Sequence, residues 1–470
     1  MSGRSGCVAA GVSPAVEPVR PARRKRSRQC KAPGRFVRCR NCGRLFPGGE
    51  TPTLYGRRDA RRYSESRRSV ARVIANESGI VSLPFNRTMN RISTVTENRR
   101  SKSSAFVPRI LALSFLGLAL TAEAQSTNAE SQLRWLDAKA LCIEGKGWTD
   151  TKQFYDRLPA KAEGVVREPV WNLSKDSAGI CVRFVTDATE ISARWTLRKE
   201  KLALPNMAAS GVSGVDLYVR HKGGWHWLGA ARPETSRTNE HRLTTGMTAQ
   251  PRECLLYLPL YNGVEKVEIG VPTEAKCEMP PSRPAKMKPI VFYGTSIVQG
   301  GCASRPGMAY PAILGRRLDC TTINLGFSGS ALCEPEVAAL LAEIDPAVYV
   351  LDPLPNMKPE SVRERMTAFL ATLREAHPKT PIVLMEHIEV GDAQVVPSRR
   401  GYAKSNTALR EIFEQRVKAG DRKLFYIRGD KLLGEDGQGT VDRVHPTDLG
   451  FMRMADVIEP VLKRAVRATK

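Results

Sequence analysis

No stretch of this 470-residue chain offers about 20 consecutive apolar residues, the length a helix needs to span a bilayer. A disulfide framework is missing too. Beyond residue 124 the cysteines are Cys142, Cys181, Cys254, Cys277, Cys302, Cys320 and Cys333, odd in number and irregular in spacing. Nor is there a complete zinc motif. Cys39 and Cys42 form one C-x-x-C with Cys30 upstream, half of a zinc ribbon, and no second pair or nearby histidine completes a ligand set. Acidic residues are scarce only at the start. Residues 1–109 hold 25 Lys and Arg against 6 Asp and Glu, a net +19, so the rest carries +6 of the total +25. A basic balance ordinarily points to nucleic acid. Here it sits in a Pro/Arg/Ser-rich leader with no apolar period, which argues for an unstructured tail and against a nucleic-acid partner.

A targeting segment follows that leader. From Met89 the chain has a basic region (Arg91, Arg99, Arg100, Lys102, Arg109), an apolar run from Ile110 to Leu120, and Ala122-Glu123-Ala124 before Gln125. This is the layout of a secretory signal, with an apolar run too short to be a membrane span. Residues 89–124 are therefore expected to direct export to the periplasm or beyond, with no stable membrane anchor. A signal normally begins its chain, so Met89 is the expected start and residues 1–88 an untranslated leader.

The exported body changes pattern once. Residues 133–283 alternate apolar and polar in short runs, such as "GICVRFV", "ISARWTL" and "VDLYV", joined by glycine turns. Period two means strands buried on one side, and several of them make a β-sandwich of jelly-roll type. No helix longer than three turns is expected there. After the Pro-rich "CEMPPSRPAKMKP" the period changes. Residues 288–470 carry five β-branched runs ("PIVFYG", "TTINLG", "AVYVLD", "PIVLME", "KLFYIR") separated by helical segments at 309–318, 334–344, 359–376, about 399–418 and 448–465. That alternation predicts a three-layer α/β/α domain around a sheet of about five parallel strands, in a flavodoxin-like order.

Ligands of open parallel sheets sit at the carboxyl ends of the strands. Polar groups fall at those ends in sequence: Ser296 after the first strand, Ser328-Gly329-Ser330 after the second, Asn356 after the third, Asp442 and His445 after the fifth. Each alone suits a helix cap or a turn. Together they resemble the SGNH, or GDSL-like, family of esterases and acylhydrolases. "YGTSIVQGG" resembles the family's first block, "NLGFSGSA" its second, "LDPLPNM" its third and "DRVHPTDLGF" its last. In the preceding region "SGVDLYV" resembles a G-x-D-L-Y motif of a sandwich module found ahead of one branch of these esterases. Two departures stand out: Thr295 replaces the aspartate before the serine, and "PLPNM" replaces the commoner glycine-x-asparagine-aspartate.

A serine hydroxyl attacks an ester only when a base takes its proton. The resemblance makes Ser296 the nucleophile, His445 the base and Asp442 the carboxylate that orients it. It assigns the oxyanion donors to the N–H groups of Ser296 and Gly329 and the amide of Asn356. It implies no metal and no organic cofactor. The expected substrate is a small acyl ester, O-acetyl foremost, on a carbohydrate or a small molecule. Lipid or aryl esters are an alternative, as is a carbohydrate-binding protein without activity. His387 is a rival base at the fourth strand end. Asp352 is expected to order the loop bearing Asn356. Trp225 and Trp227 share a face by their spacing, for core packing or for stacking on a sugar.

Overall fold

The computed structural model describes residues 36–38, 45–47 and 132–468. A short antiparallel ribbon pairs β1 (Phe36–Arg38) with β2 (Leu45–Pro47). The rest of the leader, the C-x-x-C and the export signal lie outside the described residues. Among the described residues no helix is long and apolar enough to cross a membrane.

Two antiparallel sheets come next. One has the order β12 (Cys277–Glu278), β5 (Cys181–Thr186), β10 (Arg252–Tyr257), β7 (Val215–His221), β8 (Gly224–Ala231), with β4 (Cys142–Glu144) also on β5. The other has the order β3 (Leu133–Asp137), β11 (Val264–Pro272), β6 (Ile191–Leu197), β9 (Thr238–Thr244). Their inner faces meet in one buried cluster that includes Val182, Phe184, Leu217 and Leu256 from the first and Ala193, Trp195, Val267 and Ile269 from the second. Among the described residues of this region the α-helices are short, α1 (Glu168–Ser174) and α2 (Ala209–Val212), beside two single 3-10 turns.

The alternating pattern implied burial on one side, and the first sheet departs from it. Cys181, Tyr218, Leu255 and Tyr257 point away from the sandwich core yet are buried, packed on Ala312. The run "CLLYLPL" was the signal, because a strand buried on both faces reads as continuously apolar. Trp225 and Trp227 do share a face, but it is this outer one. Trp225 lies under the Arg220 guanidinium, 4.2 Å from its ring centre, and Trp227 is 53% exposed. They do not fill the sandwich core.

Five parallel strands form the second architecture, in the order β14 (Thr322–Gly326), β13 (Ile290–Gly294), β15 (Val348–Asp352), β16 (Ile382–Met385), β17 (Leu424–Ile427). This is the flavodoxin-like order. The connecting helices are α3 (Ser296–Gln299), α4 (Tyr310–Leu318), α5 (Pro335–Leu341), α6 (Pro359–Ala376) and α7 (Ala403–Lys418), and α8 (Asp448–Arg467) follows the last strand. Both faces are covered. Val291, Tyr293, Leu325 and Leu351 face α5, α6 and α7, while Phe292, Val350 and Val383 face α4 and α8. The first face has an unexpected cover. Leu158, Ala162, Val166, Val170 and Trp171, all from the segment that precedes β5, pack into it as a further helix would.

Asp216 of "GVDLY" explains why that motif belongs to this junction. Its carboxylate is fully buried. Oδ2 accepts from Arg305 Nη1 at 2.8 Å and from the Gly307 N–H at 2.9 Å, while Oδ1 accepts from Trp227 Nε1 at 2.9 Å. Tyr218, two residues on, lies face-on to the Arg316 guanidinium at 3.8 Å. The motif therefore grips the loop between α3 and α4. Asp216→Ala strands a guanidinium, an indole N–H and a backbone N–H at once. It should lower unfolding free energy by roughly 3 kcal/mol, against about 1 kcal/mol for Trp227→Phe, which loses a single hydrogen bond. Chemical denaturation of the two variants checks the ratio.

Candidate active site

Ser296, His445 and Asp442 come together in one chain of hydrogen bonds, Asn356 reaches the segment just after Gly329, and each is placed by a local device. Ser296 opens α3 directly after β13. Thr295, which departs from the family pattern, serves as its N-cap, with Oγ1 accepting the Ile297 N–H at 3.3 Å. The Ser296 carbonyl is tied down by the N–H groups of Gly300 (3.0 Å) and Gly301 (2.7 Å) and by the Tyr261 hydroxyl (3.3 Å). Ser296 keeps 7% of its surface exposed.

The D-x-x-H spacing works as a tight turn. Val441 N–H donates to the His445 carbonyl at 2.8 Å, and Arg443 at the tip has φ 79°. Asp442 Oδ1 accepts the N–H groups of Val444 (3.2 Å) and His445 (2.9 Å). This leaves Oδ2 facing the imidazole, 2.8 Å from Nδ1. The ring's other nitrogen, Nε2, lies 2.9 Å from Ser296 Oγ. A carboxylate only accepts, so Nδ1 carries the proton and Nε2 is free to accept from the serine hydroxyl. Partial burial works against ionisation of Asp442. The His445 N–H, its ring and the Asn206 amide outweigh that and hold the carboxyl down at about 2.

Gly329 takes φ 67°, the left-handed region where glycine is at ease. Among the described residues neither the Ser296 N–H nor the Gly329 N–H has a protein acceptor. Asn356 ends a 3-10 turn, Leu354–Asn356, set up by the "PLPN" run that departs from the family. Its Oδ1 accepts the Ala331 N–H at 3.3 Å, which fixes the amide and leaves Nδ2 to donate elsewhere. Of the flanking serines, Ser328 donates its N–H to Gln299 Oε1 at 3.0 Å, and Ser330 is buried. Such an arrangement can take a proton from Ser296 and offer several N–H donors to a nearby negative oxygen.

Two sequence candidates leave the site. His387 is committed elsewhere: its Nδ1 donates to the Ile388 carbonyl at 2.6 Å and its ring stacks on Tyr402 at 5.1 Å. Burial pushes its pKa down. Asp352 turns into the core rather than toward the Asn356 loop. Its Oδ2 accepts from the Tyr310 hydroxyl at 3.2 Å, and Oδ1 has no partner.

Sequence reasoning missed four contributors. Arg157, Asp176 and Gln299 are fully buried beneath the site, and Asn206 touches Asp442. Gln299 was legible as the one large polar residue in "TSIVQGG". Asn206 gave no signal. Cys302, Asp442 and His445 form the one group among the described residues spaced for a metal ion, within 4.8 Å of one another. The hydrogen bonds that join Asp442, His445 and Ser296 already engage both ring nitrogens of His445 and the Asp442 carboxylate.

Comparison with known proteins places this geometry. A model of the GDSL-like lipase/acylhydrolase family matches residues 287–463, and one for the N-terminus of SGNH-type esterases matches 133–277. A protein of Bacteroides ovatus ATCC 8483, assigned to the GDSL-like lipases, is 36% identical with a TM-score of 0.67, covering 72% of this chain and 98% of its own. The chain belongs to the GDSL-like lipase/acylhydrolase family. It is a carboxylic ester hydrolase by that membership. The salicylyl-acyltransferase SsfX3 of a tetracycline biosynthetic pathway shares the fold at 17% identity and a TM-score of 0.56, covering 71% of this chain and 97% of its own. The search of curated proteins gave no match.

One titration of this GDSL-like hydrolase is readable from its core. Burial pushes the Asp352 carboxyl up to about 8. A raised folded-state value means the contribution to stability is full below the unfolded carboxylate value, roughly 3.9, and is lost as pH rises toward about 8, at ~1.4 kcal/mol per unit. Asp352→Asn cannot ionise. Its denaturation midpoint should change less between pH 5 and pH 8 than that of the wild type; equal changes would refute a buried neutral carboxyl.

Proposed function

We propose that this family member is an exported serine esterase that removes small acyl groups, acetyl foremost, from carbohydrate. Ser296 is the nucleophile, His445 the base and Asp442 the orienting carboxylate. One observation carries the reading: Ser296 Oγ, His445 Nε2, His445 Nδ1 and Asp442 Oδ2 lie in an unbroken chain of 2.9 Å and 2.8 Å hydrogen bonds.

The chemistry follows from it. His445 Nε2 takes the hydroxyl proton as Ser296 Oγ bonds to the ester carbon. The carbonyl oxygen becomes an oxyanion, held by the N–H groups of Ser296 and Gly329 and by Asn356 Nδ2. Collapse breaks the bond to the alcohol oxygen, which leaves with the proton from His445. Water then repeats the sequence on the acyl-enzyme, releasing acid and restoring the serine. Asp442, ionised well below neutral pH, stabilises the imidazolium in both halves.

Carbohydrate as the alcohol rests on the resemblance to exported esterases of this family that carry an added sandwich module and deacetylate glycans. Acetate release from a panel of acetylated polysaccharides, lipids and aryl esters tests this. The account expects release from the glycans, abolished by Ser296→Ala. Release from lipids alone would overturn the substrate assignment.

Role by role, the variants differ. Ser296→Ala and His445→Ala should each cost on the order of 10⁴-fold in turnover, and the double change little more. Asn356→Ala should cost about 10²–10³-fold with the Michaelis constant nearly unchanged. A lowered thermal midpoint with intact turnover would reduce Asn356 to a structural residue. For export, protein recovered outside the cytoplasm should begin at Gln125, and a mature chain containing residues 1–88 would contradict it.

A further inference from the structure

Asp442 Oδ2 receives a second donor besides the imidazole, and it comes from the sandwich part of the chain. Asn206 Nδ2 lies 2.7 Å away. A carboxylate accepts only, so the amide nitrogen must be the partner.

Asn206 is exposed, yet little in its placement is left loose. Leu204 and Met207 exchange backbone hydrogen bonds of 3.0 and 3.1 Å, which makes Pro205-Asn206 the tip of a two-residue turn. Met207 is buried in the same cluster as Ile297, Val298 and Ala303. Helix α2 follows at once and is pressed on the segment after α3. A Cβ on Gly211 would stand 2.2 Å from the Ala303 carbonyl, and Ser210 Oγ donates to the Ser304 carbonyl at 2.6 Å. Ser304 is held in turn by Asp448 at the start of α8, its N–H 3.0 Å from Oδ1. The turn is thus moored to α3 on one side and α8 on the other, the two elements that carry Ser296 and follow His445.

We propose that Asn206 is a positioning residue for the esterase reaction, supplied by the sandwich module to the triad carboxylate. The inference rests on the reading of Ser296, His445 and Asp442 as the catalytic groups. Backbone N–H groups fix Oδ1 of Asp442, and Asn206 fixes Oδ2 from outside the turn. The carboxylate plane is then set before the imidazole meets it. Asn206 also draws charge from the oxygen that the imidazole uses. Cys302 lies within 4.8 Å of the pair, and burial pushes its thiol up to about 12, so it adds no charge at working pH.

The two effects have separate signatures. Loss of positioning lowers kcat. Loss of the competing donor leaves Oδ2 more negative, which favours the imidazolium and moves the acid limb of the pH–rate profile to higher pH. A purely structural role would lower the thermal midpoint, and kcat only along with it, leaving the pH profile unmoved.

The test uses the whole mature chain and p-nitrophenyl acetate, with Ser296→Ala as the reference for the underlying reading. Asn206→Ala should lower kcat roughly 5- to 50-fold, the scale of a charge-assisted hydrogen bond acting through a second residue. KM and thermal midpoint should stay within error, with the acid limb displaced upward. Asn206→Asp should be worse, because it sets a second carboxylate against Asp442. If Ser296→Ala is inactive while Asn206→Ala keeps wild-type kcat and pH profile, the inference alone is overturned. A fall in kcat matched by a lowered midpoint, with the pH profile unmoved, also overturns it in favour of a structural role. If Ser296→Ala stays active, the reading beneath it fails and the inference falls with it.

Discussion

The site depends on a buried polar knot that ties the helix opening at Ser296 to the loop bearing Gly329. Gln299, one turn after Ser296, is fully buried. Its Oε1 accepts the Ser328 N–H at 3.0 Å, and its Nε2 donates to the Leu260 carbonyl (3.0 Å) and to Asp176 Oδ2 (3.2 Å). Arg157, equally buried, donates to four backbone carbonyls: Leu173, Asp176, Asn324 and Gly326, at 2.7 to 3.0 Å. Burial presses its guanidinium down to about 10, so it stays charged at neutral pH. An ion in that position is tolerable only because each of its three nitrogens meets an acceptor. The result is that the helix opening at Ser296 and the segment carrying Ser328 and Gly329 are tied through one buried side chain, the rigidity that the proposed oxyanion site calls for.

That knot is shared between the two halves of the polypeptide. Arg157 and Asp176 precede β5, while Gln299 and Ser328 belong to the parallel-sheet part. The same segment supplies apolar cover to the parallel sheet through Leu158, Val170 and Trp171. On the outer face of the sandwich, Asp216 grips Arg305 and Gly307. The sandwich region is therefore structural support for the catalytic side rather than a tethered appendage.

Much of this was legible from the chain. Period two, then β-branched runs separated by helices, led to the two architectures and to the strand order. Helix α6 matches the expected 359–376 span residue for residue. The meeting of Ser296, Asp442 and His445 was legible because each follows a strand and because strand ends of a parallel sheet share one edge; Gly329 and Asn356 were placed after strands by the same reading. What the pattern could not show was contact between regions. His387 and Asp352 also sit at strand ends, and only the structure shows Tyr402 and Tyr310 claiming them. Arg157 and Asn206 lie in loops with no period, and their side-chain partners are 16 to 236 positions away. The Trp225/Trp227 spacing gave the shared face correctly but not which side of the sheet it was.

The central claim is that one serine, activated by His445, carries the chemistry. Active-site titration with a serine-directed organophosphate, followed by peptide mass spectrometry, tests it most directly. The account predicts one phosphoryl group per chain, located on Ser296, with loss of esterase activity in proportion to labelling, and slow labelling in His445→Ala. Labelling at another residue, or full activity in a chain labelled at Ser296, would contradict it.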